Sequence, residues 1–308
     1  MPIKIPDNLP AFEVLKAENI FVMPTSRASH QDIRPLEIGI LNLMPTKVTT
    51  ETQLLRLLSN TSLQVNIDLI NAATHKSKNT SPDHLKAFYK SFEDIKNKYY
   101  DGFIITGAPV EKLNYSDVNY WDELCDFFEW TKTHVYSTLH ICWGAQAALY
   151  YHFHIHNKIE EKKIFGIFKH QALVKNHPLL SGFDDEFNIP HSRYTSISRD
   201  DIENCPDLDL IAYSDEAGVG IISDKIERRF FINGHLEYSR NTLKKEYERD
   251  KALGLNTAIP ENYFKDNNPN LQPIFSWKST ASLLFYNWLN FCVYQRTPYD
   301  FSDLEPIK

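Results

Sequence analysis

In the first half of the chain, short apolar runs alternate with longer stretches whose apolar residues recur at helical spacing. Residues 36–43 (Leu-Glu-Ile-Gly-Ile-Leu-Asn-Leu) read as a buried strand, which Pro45 and Thr46 end before a helix over about 50–59. The order then repeats. A strand over 63–70 is followed by Ser81 and Pro82, a capping residue with proline in the first turn, and a helix to about Asn97. Residues 101–107 predict a third strand, 117–132 the next helix, and 135–141 a strand rich in β-branched and aromatic residues. Alternating units predict an α/β fold with a mostly parallel sheet flanked by helices. Sites in such sheets lie at the carboxyl ends of strands, where Met44, Gly107 and Cys142 would sit.

The second half predicts shorter strands around 165–174, 208–214, 219–223 and 230–233, then a charged helix over about 239–253. A Pro/Asn-rich stretch, 260–273, reads as an extended loop before a final amphipathic helix over about 279–294. The aromatic residues of that helix suggest a homodimer. No repeat or linker divides the chain, so a single domain over 1–308 is expected. It comprises an N-terminal arm (1–34), an α/β core (35–238) and C-terminal helices and loop (239–308).

Composition narrows the function. With 308 residues, 42% of them hydrophobic, and a net charge of −7, the chain can bury a substantial core, and it lacks the basic tract that nucleic-acid binding requires. No apolar run is long enough for a membrane span, and the polar start has no signal-peptide pattern. A cytoplasmic protein acting on a small molecule is the expectation. The four cysteines are scattered without a C-x-x-C, which predicts neither a disulfide framework nor a cysteine-held metal, and nothing calls for a bound cofactor.

One segment carries chemistry. In Thr138-Leu-His-Ile-Cys-Trp-Gly-Ala-Gln-Ala-Ala148 an apolar strand runs into Cys142 and a small-residue helix leaves it, an arrangement that holds a nucleophile at the tip of a sharp turn. The positive end of such a helix favours a thiolate, and the backbone N–H of Trp143 could donate to an oxyanion. A buried core cysteine fits the same pattern, and the elbow alone leaves both open.

A nucleophilic cysteine needs a base and a group to orient it. Phe230-Phe-Ile-Asn-Gly-His-Leu-Glu237 supplies both, because an extended segment would point His235 and Glu237 to one side. His152, His154 and His156 share a face if they lie on a strand and could then hold zinc, but the end of the helix after Cys142 would disperse them.

These residues together are recognisable. Ile40-Leu-Asn-Leu-Met-Pro45, Ile105-Thr-Gly-Ala-Pro109, Cys142-Trp143, Pro190-His-Ser-Arg-Tyr194, Gly234-His235, Glu246-Tyr-Glu-Arg-Asp250 and Leu283-Leu-Phe-Tyr-Asn-Trp-Leu-Asn290, with Asn19-Ile-Phe-Val-Met23 near the start, resemble the MetA-type homoserine O-acyltransferases. The resemblance runs almost end to end. It implies a flavodoxin-like, class I glutamine-amidotransferase-like fold. It also implies a ping-pong reaction in which Cys142 takes an acyl group from an acyl-CoA and passes it to L-homoserine, with His235 as base and Glu237 as its partner. Lys163, Ser192 and Arg249 match the family's substrate-binding positions, and an arginine suits the homoserine carboxylate. Lys47 is a weaker electrostatic candidate.

The resemblance also points to the donor. In this family the position of Glu111 tracks the acyl group, glycine with succinyl-CoA and glutamate with acetyl-CoA. A carboxylate facing the acyl pocket would fill space and repel a succinyl carboxylate. Acetyl-CoA is therefore the expected co-substrate, with succinyl-CoA as the alternative. A glutaminase on the same fold is a weaker rival, because such elbows usually read G-x-C-x-G and here the first position is His140.

Overall fold

A computed structural model describes residues 3–17, 22–28, 34–72 and 80–307. The first three residues of the Asn19–Met23 motif, and part of the predicted N-terminal arm, lie outside the described residues. The strands are β1 (Ile3–Ile5), β2 (Met23–Pro24), β3 (Leu36–Leu41), β4 (Val65–Ile70), β5 (Tyr89–Lys90), β6 (Tyr100–Ile105) and β7 (Val135–Ile141). They continue as β8 (Asn157–Ala172), β9 (Glu186–Ile197), β10 (Leu208–Ser214), β11 (Gly218–Asp224) and β12 (Arg229–Ile232). All belong to one sheet of order β2-β1-β4-β3-β6-β7-β12-β11-β10-β8-β9, with β5 beside β4.

The sheet is parallel from β2 to β12 and antiparallel from there to β9. Helices separate the parallel strands, as the alternating sequence pattern predicts, and hairpins build the rest. Two apolar cores result, one on each face. One packs Leu54, Leu58, Phe230, Trp277, Leu284 and Trp288; the other packs Phe103, Phe127, Phe128, Trp143 and Phe231. Gly102 on β6 makes room for the Trp288 ring, since a Cβ there would lie 2.9 Å from it.

Most predicted elements are present, β7 and β10 with the boundaries read from sequence. Three expectations change. The helix placed over 81–97 is two short helices, Pro82–Phe88 and Phe92–Ile95, split by β5. The strand around 165–174 begins at Asn157 and pairs along its length with β9, which the sequence reading left out. The final helix runs from Lys278 to Asn287 and continues as a wider π-helical turn over Trp288–Tyr294. Of its aromatic residues, Phe285 and Trp288 pack in the protein's own core, while Tyr286 and Tyr294 are exposed.

Candidate active site

Cys142 lies at the carboxyl end of β7, between β6 and β12 in the middle of the sheet. Its N–H donates to the Ile232 carbonyl at 2.7 Å, and its carbonyl accepts from the N–H groups of Ala145 and Gln146 as the helix Trp143–Phe153 begins. The residue therefore ends a strand and starts a helix at once, with φ 51° and ψ −117°. Such a backbone is costly for a residue with a Cβ, by about 1–3 kcal/mol, and is kept where the surrounding structure enforces it. The strained elbow thus forms without glycine at the His140 position, which is a strand residue of the core. Gly144 lets the helix press onto the end of β6, because a Cβ there would stand 2.5 Å from the Thr106 carbonyl oxygen.

β12 pairs in parallel with β7, Ile232 opposite Ile141, and the chain then turns so that His235 returns to the neighbouring strand's end. The His235 N–H donates to the Pro190 carbonyl at 2.8 Å, fixing the turn to β9. Its Nδ1 and Glu237 Oε1 are 2.7 Å apart, so Nδ1–H donates to the carboxylate, and Cys142 lies close enough to the imidazole to act on its charge. All three side chains are buried. The segment is a turn closed by the Tyr238 N–H on the His235 carbonyl, not the extended run expected, and the turn is what lets Glu237 reach back. Burial alone would lower the pKa of His235, yet Cys142 and Glu237 hold it well above the ordinary imidazole value. The Tyr238 ring stacks on the imidazole.

Lys163, Ser192 and Arg249 come together around a residue the sequence reading named only within a motif. Glu246 Oε1 accepts from Lys163 Nζ at 2.6 Å and from the Ser192 hydroxyl at 2.8 Å, with Arg249 at 3.7 Å. Arg249 meanwhile donates from Nε and one amino group to Asp250 Oδ1 and stays largely exposed. Helical spacing explains the cluster: Arg249 and Asp250 each lie one turn after Glu246 on the helix Thr242–Ala252. Tyr238 is within electrostatic reach of both this cluster and Cys142. It is buried where the charges of Glu246, Glu237, Cys142 and Glu111 all bear on it, which with burial keeps its hydroxyl protonated.

Glu111 follows β6 in a turn and does not face open water. Its Oε2 accepts from the Tyr194 N–H at 2.9 Å and the Thr195 hydroxyl at 3.0 Å, both on β9. Gly107, at the start of the same loop, is in contact range of the pair: a Cβ there would lie 3.3 Å from the Cys142 Cβ and 3.6 Å from His235 Cε1. Lys47 is not a surface lysine. Its ammonium donates to the Asn42 carbonyl just past the carboxyl end of β3, and burial lowers its pKa to about 8 against the pull of Glu51.

The three histidines of the 152–156 run are dispersed. His152 packs on Phe128 in the helix after Cys142, His154 is the left-handed residue ending that helix, and His156 meets Tyr150. Among the described residues, no group of three His, Cys, Asp or Glu side chains is placed to hold a metal ion.

The chain is similar to known proteins over almost its whole length. The model of the family described as homoserine O-succinyltransferase matches residues 2–299. Homoserine O-acetyltransferase 1 of Ilyobacter polytropus is 58% identical over 299 residues, covering 97% of this chain and 99% of the relative. The homoserine O-acetyltransferases of Acetivibrio thermocellus and Bacteroides fragilis are 55% and 53% identical, each over 99% of this chain and 100% of the relative. Among solved structures, a glutamine amidotransferase from Thermotoga maritima superposes with a TM-score of 0.56 at 9% identity, over 85% of this chain and 100% of that one. That likeness is one of fold.

Proposed function

Because the chain belongs to the homoserine O-succinyltransferase family and is an acyltransferase, we propose that it transfers an acetyl group from acetyl-CoA to the hydroxyl of L-homoserine through a thioester on Cys142. The product, O-acetyl-L-homoserine, serves methionine biosynthesis. The observation that carries the mechanism is the position of His235, bonded to Glu237 through Nδ1 and within electrostatic reach of Cys142.

The thiolate of Cys142 attacks the thioester carbonyl of the donor, and the N–H of Trp143 at the helix start receives the oxyanion. When the bond to the CoA sulfur breaks, the His235 imidazolium gives that sulfur its proton. His235 is then neutral and can take the proton of the homoserine hydroxyl as its oxygen attacks the Cys142 thioester. Collapse of the second intermediate releases the ester and restores the thiolate–imidazolium pair. Glu237 holds Nδ1–H throughout and favours the charged ring. A thioester carried on the enzyme costs little relative to the donor, which is itself a thioester.

Lys163, Ser192, Glu246 and Arg249 surround the acceptor in this reading, charges of both signs suiting an amino acid. The donor is acetyl-CoA because the Glu111 carboxylate occupies the space beside Thr195 that a longer, anionic acyl group would need. The names of the close relatives support the same donor. Mass spectrometry of the Cys142 peptide after mixing with acetyl-CoA or succinyl-CoA, without homoserine, tests both points. An acetyl adduct that homoserine discharges is expected; no adduct from either donor defeats the mechanism, and a faster succinyl adduct defeats the donor assignment.

A further inference from the structure

Glu111 does more than occupy volume. Its carboxylate receives two hydrogen bonds on one oxygen, from a backbone N–H and a hydroxyl on consecutive residues of β9. That is how a protein holds a carboxylate ligand.

The ground behind it is positive. Arg193, the residue before Tyr194, is wholly buried, with Nε donating to His191 Nδ1 at 3.1 Å and its amino groups donating to the carbonyls of Thr195 and Ala217. Its position is locked by a relay. His170 Nδ1–H donates to the Phe168 carbonyl, which leaves His170 Nε2 to accept from His191 Nε2–H and His191 Nδ1 to accept from Arg193. Among the described residues this guanidinium has no paired carboxylate. Burial works against its charge, and Cys142, Glu111 and Glu160 support it.

The Thr195 hydroxyl has a single proton and two oxygens within reach, Glu111 Oε2 at 3.0 Å and Gln146 Oε1 at 2.8 Å. Gln146 Oε1 also accepts from Asn157 Nδ2 at 3.0 Å, so it has a donor without Thr195, and the charged carboxylate is the stronger acceptor for the hydroxyl proton.

We propose that the Tyr194 N–H and the Thr195 hydroxyl, backed by the Arg193 guanidinium, form a carboxylate-holding subsite in the acyl pocket, which this chain fills with its own Glu111, and that Thr195 is therefore a specificity-determining residue for the acyl donor. The inference rests on the reading of Cys142 as the acyl carrier. Emptied of Glu111, the subsite takes the terminal carboxylate of a dicarboxylic acyl group.

The test compares wild type, Glu111→Gly, Glu111→Gly/Thr195→Val and Glu111→Gly/Thr195→Ser, reading the ratio of kcat/KM for succinyl-CoA to that for acetyl-CoA. Glu111→Gly raises the ratio. Adding Thr195→Val lowers it by about tenfold or more, the loss expected for one hydrogen bond to a charge, and serine in that place restores it. Thr195→Ala, which needs no extra room beside Gln146, repeats the comparison. An equal ratio with and without the hydroxyl overturns the proposal. Calorimetry of free succinate needs no turnover: about tenfold weaker binding to the doubly substituted valine protein than to Glu111→Gly is expected, and equal binding overturns the subsite. Hydroxyl-dependent succinate binding in a protein whose wild type transfers no acetyl would overturn only the acyltransfer reading.

Discussion

The ring of Tyr238 lies flat against the imidazole of His235, centroids 4.1 Å apart and planes within 9° of parallel. Glu237 fixes the imidazole at one edge, and the stacked ring fixes its plane. Tyr238→Phe keeps that surface and is expected to retain most of kcat, whereas Tyr238→Ala should lower kcat by about tenfold or more and cost stability by about 3–5 kcal/mol, as loss of a large buried ring does. Steady-state kinetics and urea unfolding of the two variants separate orientation from burial.

Removing members of the Cys142–His235–Glu237 set should give losses that do not add. Cys142→Ala abolishes the acyl adduct. Glu237→Gln keeps a hydrogen bond to the imidazole and withdraws the charge, so kcat/KM should fall by about 10²–10⁴. Because Glu237 is among the groups that raise the pKa of His235, the same variant should shift the imidazole titration in the free protein to lower pH, visible by NMR. An unmoved titration would show that Cys142 alone supports the charged ring.

Stability should fall on acidification well before carboxylates are protonated. His140 and His170 are buried and neutral, their pKa values lowered by burial to about 3 and about 4. An unfolded chain protonates them near 6.5, so it binds more protons than the native state between that value and the lowered ones. Each should remove about 2 kcal/mol between pH 7 and pH 5. His235 offsets this only in small part: its raised pKa makes its contribution complete below about 6.5, and the contribution declines as pH rises from there through the raised value. Urea midpoints at the two pH values give the comparison, and equal midpoints would contradict the neutral burial of these rings.

Gly144 and Gly107 should respond differently to alanine. At Gly144 the added methyl meets the Thr106 carbonyl at 2.5 Å, so the helix must move; a loss of about 1–3 kcal/mol in stability is expected along with activity. At Gly107 the nearest atoms are 3.3 Å away and belong to Cys142, so stability should change little while kcat falls. Chemical denaturation and kinetics on the pair would show whether the two effects separate.

Arg249 is paired with Asp250, and in the proposed site it exchanges that partner for the homoserine carboxylate. Arg249→Lys, which cannot make the two-pronged contact, should raise KM for homoserine by about tenfold and slow acylation of Cys142 much less. Rapid-quench measurement of the two half-reactions checks the assignment.

Much of the fold was legible because burial imposes itself on sequence: β7 carries Val135, Leu139 and Ile141 into the core, and the elbow follows from them. β9 was not, because its inward residues include His191, Arg193 and Thr195, which are buried by satisfying one another and leave no apolar pattern to read. For the same reason the neighbours of Glu111 and the hub at Glu246 stayed hidden. Lys47 looked like a surface residue since nothing local announces that Asn42, Tyr89 and Glu51 close over it. The pairing of His235 with Glu237 was anticipated for the wrong reason, as a turn of that length is invisible to a period-two rule.

The parallel register of β7 with β12 places Ile141 opposite Ile232, and Cys142 and the turn that carries His235 leave the sheet from those adjoining ends. Their separation is thereby set by the spacing of two hydrogen-bonded strands, a dimension the backbone fixes and no side chain can retune. In the proposed reaction, donor and acceptor choice hang by contrast on β9, the outermost strand of the sheet, and on a surface helix. Substitutions there would remodel what is transferred, and to what, while Cys142 and His235 keep their distance, so on that reading the molecule can change its clientele without relearning its chemistry.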